Sequence, residues 1–193
     1  YGASSIKEYY ANTVSEFEKI RRIPPKSVIH LWFEDDLFCQ VNLWFVLYLL
    51  VHFVHDCTVF LIRPQAHTPF GFGGLNKAEL LQAFEKRVRI NEKDTIASLC
   101  ESYQSNDIKK LRDTASALQQ SLPFILPAVE AHIARIPSEN NPGRLIQSLA
   151  AIMKDLNTTE FGPVFREFTK REPIYGFCDL QVKRLLNKKK KSG

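Results

Sequence analysis

The sequence predicts an α/β fold, a small parallel sheet followed by a predominantly helical C-terminal region. Three observations predict it. SVIHLWF (27–33) and TVFLI (58–62) are short apolar runs rich in β-branched and aromatic residues, and they flank a long apolar stretch. Beyond residue 76 the apolar residues recur almost wholly at helical spacing. Across 193 residues, 45% are hydrophobic, enough to bury a sizeable core.

The elements follow in order. In residues 4–22, Ile6, Tyr9, Tyr10, Val14, Phe17 and Ile20 or Ile23 fall at the spacing of an amphipathic helix, which Pro24 and Pro25 stop. SVIHLWF reads as a buried strand. Gln40 to His55 is apolar almost all round, the pattern of a central buried helix. It is too short and too punctuated for a membrane span, which takes about 20 apolar residues. TVFLI reads as a second buried strand. Strand, helix and strand with short connections form a βαβ unit, parallel and right-handed. Two such strands do not complete a sheet buried on both faces, and nothing later reads as another strand. With Tyr1 first and Met153 the only methionine, the expectation is that further strands lie upstream of Tyr1.

The remainder reads as helices. Asn76 and Glu79 suggest a capping box before KAELLQAFEKRV. One helix is expected from about Glu92 to Tyr103. Another should follow an Asn106 cap to about Leu118. A third should run within 121–136, with Ser121 as cap and Pro123 in its first turn, although Pro127 blurs that start. SENNPGR is polar with Pro and Gly, so a sub-boundary is expected near 137–143. Three short helices close the chain. The implied organisation is a partial α/β domain over 1–75 and a helical region over 76–193.

Charge and cysteines narrow the classes. The net charge is +5. Residues 160–193 hold nine Lys/Arg against four acids, so the rest is neutral, and four of the nine form the terminal run Lys188–Lys191. That run reads first as a solvated tail. Cys39, Cys57, Cys100 and Cys178 are scattered without a CxxC pair. They suggest neither a zinc ribbon nor a disulfide scaffold, and point to a reducing, cytoplasmic setting.

The chemistry concentrates after the first strand. In HLWFEDDLFCQVNLWF (30–45), three acids separate two apolar runs. Loops at the carboxyl ends of parallel strands face one crevice, where ligands bind. EDDLFC and RPQAHTPFGFGGLN (63–76) both qualify. Side chains alternate along a strand end, so Glu34 and Asp36 should face the crevice and Asp35 away from it. Glu34 and Asp36 are therefore the candidate acid/base pair or metal ligands, with His67 a weaker acid/base candidate. Asp35 or Asp36 should also cap the following helix. Gly73 and Gly74, before a helix N-terminus, are candidate backbone binders of a small anionic ligand. Gln40 and Asn42, polar intruders in an apolar helix, should hydrogen-bond the acidic loop. His30 reads as a satisfied strand residue, and His52 and His55 as helix-end residues. The sequence names neither cofactor nor metal, nor a reaction, nor an oligomeric state. The alternative is a nucleic-acid-binding regulator. Its last three helices would form a helix-turn-helix, with Lys183, Arg184, Lys188 and Lys189 on phosphate.

Leu31, Trp32, Phe33, Glu34, Asp36, Leu37, Phe38 and Gln40 also resemble the motif of a bacterial family of unknown function, domain of unknown function number eighteen thirty-five. That motif reads Leu-Trp-Phe-Glu, a variable residue, Asp-Leu, an aromatic, a variable residue and Gln. LPFILPAVEAHIARIPS and GFCDLQVKRLL resemble the companion domain usually fused to its C-terminal side. The resemblance implies an additional strand–loop region with an Asn-Gly-Asp-like segment before Tyr1. It implies no particular activity.

Overall fold

The computed structural model describes residues 5–54, 56–64 and 70–191. Its order opens with α1 (Ile6–Tyr9), a π turn at Tyr10–Val14, α2 (Ser15–Glu18) and a 3-10 turn at Lys19–Arg22. Then come β1 (Val28–Trp32), α3 (Leu37–Phe53), β2 (Thr58–Ile62), a 3-10 turn at Gly71–Gly74, α4 (Lys77–Glu85) and β3 (Val88–Arg89). Six helices follow: α5 (Lys93–Gln104), α6 (Ile108–Ala117), α7 (Ile125–Ala134), α8 (Arg144–Asp155), α9 (Phe161–Arg171) and α10 (Asp179–Lys191). An α/β fold with a helical C-terminal region is what the sequence predicts.

The sheet has the order β1-β2-β3. β1 and β2 are parallel, with Val28 opposite Thr58 and Trp32 opposite Ile62. β3 pairs antiparallel with the other side of β2. It is the strand the sequence reading missed, since two residues are too few to show an alternating pattern. Val59, Leu61 and Ile62 of β2 are buried as expected. β1 corrects the reading of a strand buried on both faces. Val28 is 57% and Trp32 42% exposed, because β1 turns only its Ile29 and Leu31 face to the core. Its outer face carries His30, whose ring stacks on Phe60 at 5.6 Å and meets Phe84 of α4 at 5.1 Å between centroids.

α3 is the central helix. Leu43, Trp44 and Leu47 are fully buried, and α5 packs along it. One continuous core runs from Leu37 through Val59, Ile96 and Ile125 to Leu186. It crosses the expected boundary at 75/76. Burial of this apolar surface, at about 25 cal/mol per Å², drives the packing. The first helical segment is present, but Ile6, Tyr9 and Tyr10 on its apolar face are exposed.

Caps differ in detail. Asn76 and Glu79 form the predicted capping box. Asp107, not Asn106, caps α6 by accepting from the Lys110 N–H, while Asn106 takes a left-handed turn at φ 56°. α7 begins at Ile125, so Pro127 rather than Pro123 lies in its first turn, and Ser121 donates back to the Leu118 carbonyl. Among the described residues, no helix is long and apolar enough to cross a membrane.

His132 of α7 is buried beside the Tyr103 ring, and neither ring nitrogen has a hydrogen-bond partner. Burial, helped by the charge of Arg135, pushes its pKa down to about 4. Between pH 6.5 and that value the unfolded chain binds a proton that the folded chain refuses. Stability should therefore be full above pH 6.5 and fall by about 3 kcal/mol as the pH drops towards 4. Urea unfolding of His132→Leu should lose this slope; an unchanged slope would assign it to other groups.

Candidate functional site

The site begins where β1 ends. The Phe33 N–H still donates to the Ile62 carbonyl at 3.2 Å, so strand geometry persists into the acidic loop. Side chains therefore alternate through it. Asp35 turns to one side and makes a bidentate pair with Arg63, whose guanidinium lies 3.9 Å over the Phe124 ring. Glu34 and Asp36 turn to the other. The Phe72 N–H donates to Glu34 Oε1 at 3.0 Å, and the Cys39 N–H donates to Asp36 Oδ1 at 3.0 Å, capping α3. Gln40, fully buried, donates from Nε2 to the Glu34 carbonyl at 2.8 Å and fixes the loop from below.

This folding back brings a third donor. One oxygen from each of Glu34 and Asp36 and the Cys39 sulfur all lie within 4.8 Å of one another. The Cys39 thiol is pushed up to about 12, first by burial and then by the negative charge and hydrogen bond of Asp36; a backbone hydrogen bond at Glu34 opposes them. It is a protonated thiol at neutral pH unless a cation takes the place of its proton.

These groups face a cavity of about 310 Å³. Phe38, Phe70 and Gly71 complete the near wall. The far wall comes from the C-terminal helices: Phe168 and Thr169 of α9, then Glu172, Gly176, Phe177 and Cys178. Two glycines hold the walls this close. Gly71 has φ 53°, and a Cβ there would fall 1.7 Å from Glu34 Oε1. Gly176 has φ 60°, and a Cβ there would fall 2.0 Å from Asp36 Oδ1. Positive φ and close approach both demand glycine.

The cavity is acidic. Glu34, Asp36 and Glu172 line it, and no Lys, Arg or His does so among the described residues. Glu172 is 7% exposed, with its carboxylate accepting from Arg144 Nε at 2.9 Å. An anionic ligand held by backbone amides alone does not suit this charge. Gly73 and Gly74 are exposed and do not line the cavity; Gly71 is the glycine that does. Asn42 is also exposed, and donates to the Phe38 carbonyl one turn back instead of reaching the acids. Gln40 does reach the acidic loop, at the Glu34 backbone carbonyl. His67 and His55 lie outside the described residues, and His52 sits at the Tyr48 carbonyl, 2.8 Å away. Lys183 and Arg184 are exposed on α10, and the side chains of Lys188 and Lys189 are not among those described.

Sequence reasoning missed Cys39, Gly71 and the whole far wall. Cys39 was legible: three residues after a capping Asp, its side chain returns to the cap. Gly176 sits in YGFCD, a second glycine–aromatic pair resembling GFGG, but nothing local ties it to Asp36.

No protein-family model, curated protein or solved structure matches this chain.

Proposed function

We propose that the chain carries a metal-dependent site for a small molecule at the carboxyl ends of its parallel strands. Glu34, Asp36 and Cys39 bind one divalent transition-metal ion. The observation that carries this reading is the convergence of two carboxylates and a thiol within 4.8 Å on a cavity wall. Mixed oxygen and sulfur donors suit zinc better than magnesium or calcium, which take oxygen alone. Three protein donors leave a coordination position for water or substrate, the arrangement of a catalytic rather than a structural zinc site. A metal there would acidify a bound water or polarise a substrate oxygen. The likeness of the Leu31–Gln40 motif to domain of unknown function eighteen thirty-five supports membership of that family, with its characteristic acids at this site.

Zinc titration of the purified protein tests the reading. Zinc at 100 times its Kd should raise unfolding stability by about 2.7 kcal/mol. Because the Cys39 proton must leave, calorimetry in buffers of different ionisation enthalpy should show one proton released per ion. Affinity should then rise about tenfold per pH unit around neutrality. Absence of stabilisation by zinc, manganese and iron(II) alike would overturn the proposal.

A second reading, nucleic-acid binding, draws on α10. Its apolar residues Val182 and Leu186 are buried while Lys183 and Arg184 face solvent, and the helix runs on through the terminal lysines. Any such binding should be electrostatic and steeply salt-dependent. Deleting Lys188–Lys191 should remove most DNA binding at low salt; unchanged, sequence-selective binding would contradict a purely electrostatic role.

A further inference from the structure

The cavity has a second chemical character. Phe70 is 78% and Phe38 50% exposed, and both line the cavity, so its wall offers accessible apolar ring surface to a ligand. Deeper in, Phe168 and Phe177 lie at 6.4 Å between ring centroids, with an interplanar angle of 25°. Pro173 adds a further flat apolar face. Glu34 and Asp36 lie together on the near wall, Glu172 stands on the far wall, and the aromatic groups come from both walls. The volume of about 310 Å³ exceeds the roughly 150 Å³ that suffices to hold a benzene ring, so a ring with a polar head group fits.

We propose that the small molecule taken by this cavity is a planar aromatic or heteroaromatic ring bearing a non-anionic head group that donates hydrogen bonds, such as an amide or a hydroxyl. The ring lies among Phe38, Phe70 and Phe177, and the head group points to the acid end. This rests on the reading of the cavity as a ligand site and names the class of its substrate. Flat rings gain from offset or edge contacts with phenylalanine, which a saturated ring of equal size lacks. Charge sets the head group. With Glu34, Asp36 and the Arg144-paired Glu172 on the described lining and no cationic side chain there, a phosphate or sulfonate would be repelled. An amide N–H or a hydroxyl can donate to those carboxylates, and the oxygen of either group can also serve as a metal ligand.

The test uses metal-free protein, so that it stands apart from the zinc titration. Benzamide and cyclohexanecarboxamide share a head group and differ only in the ring. Ligand-observed NMR and competition titrations should show benzamide binding about fivefold more tightly, the gain expected of one or two aromatic contacts. Phenyl phosphate should bind more weakly than benzamide. Phe38 and Phe70 are exposed, so the double Phe38→Ala, Phe70→Ala protein should unfold at nearly the wild-type temperature. Its preference for benzamide should shrink to what Phe177 alone supplies, clearly below the wild-type ratio. The single variants give intermediate ratios and serve if the double variant does not fold. Equal binding of the two amides to the wild-type protein would overturn the aromatic proposal. So would absence of binding by either amide, or a preference undiminished by both substitutions. Zinc binding without ring preference would remove only this inference, and ring preference without zinc binding only the metal reading.

Discussion

Glu34→Gln is expected to weaken zinc binding by upward of about 100-fold while hardly changing the stability of the metal-free protein. The substitution replaces an anionic donor by a neutral amide oxygen in a set of three. Changes merely adjacent to metal ligands already cost about 10- to 100-fold, so loss of a charged ligand should exceed that. The fold has little reason to respond. A glutamine oxygen can still accept the Phe72 N–H, the Gln40 contact is to the backbone carbonyl, and repulsion between Glu34 and Asp36 is relieved. Calorimetric titration and urea unfolding on the same preparation measure both quantities. Unaltered zinc affinity would show that Glu34 is not a ligand. A large loss of stability would show that its carboxylate is structural.

Gly176→Ala should do the reverse, damaging fold and site together. Left-handed backbone costs a residue with a Cβ about 1–2 kcal/mol. The new methyl would lie 2.0 Å from Asp36 Oδ1, so the carboxylate that caps α3 must also move. A combined loss of roughly 2–4 kcal/mol is expected in urea unfolding. Zinc affinity should fall too, even at temperatures where the variant is fully folded. Gly73→Ala is the control, since no atom lies within 4 Å of its added Cβ. Tolerance of alanine at 176 would mean that the loop shifts freely and does not position Asp36.

The parts of this molecule that were legible in its sequence are those with a local physical cause. Apolar continuity disclosed β1, α3 and β2, and the two-residue period of a strand end assigned Glu34 and Asp36 to one side and Asp35 to the other. The same reasoning failed where the cause was distant. VIHLW reads alike whether one face of the strand or both are covered; Val28 lies in solvent because only the Ile29 and Leu31 face packs on the core. Asn42 and Gln40 are both polar residues early in α3. They differ because 40 faces the core and 42 does not, a matter of two residues' rotation about the helix axis. In GFGG, the functional glycine is selected by Glu34 pressing on Gly71, a contact across 37 residues. The far wall is more remote still, since the approach of Gly176 to Asp36 spans most of the chain.

That last contact has a consequence for how the protein is made. Synthesis proceeds from the N-terminus, and early segments emerge from the ribosome while later ones do not yet exist. A nascent chain stopped short of Phe168 already contains Glu34, Asp36 and Cys39, yet lacks the wall that encloses them. The cavity closes only after translation has passed Cys178. Until then Asp36 lacks the Gly176 backbone that packs on it, and it stands with Glu34 on one wall alone.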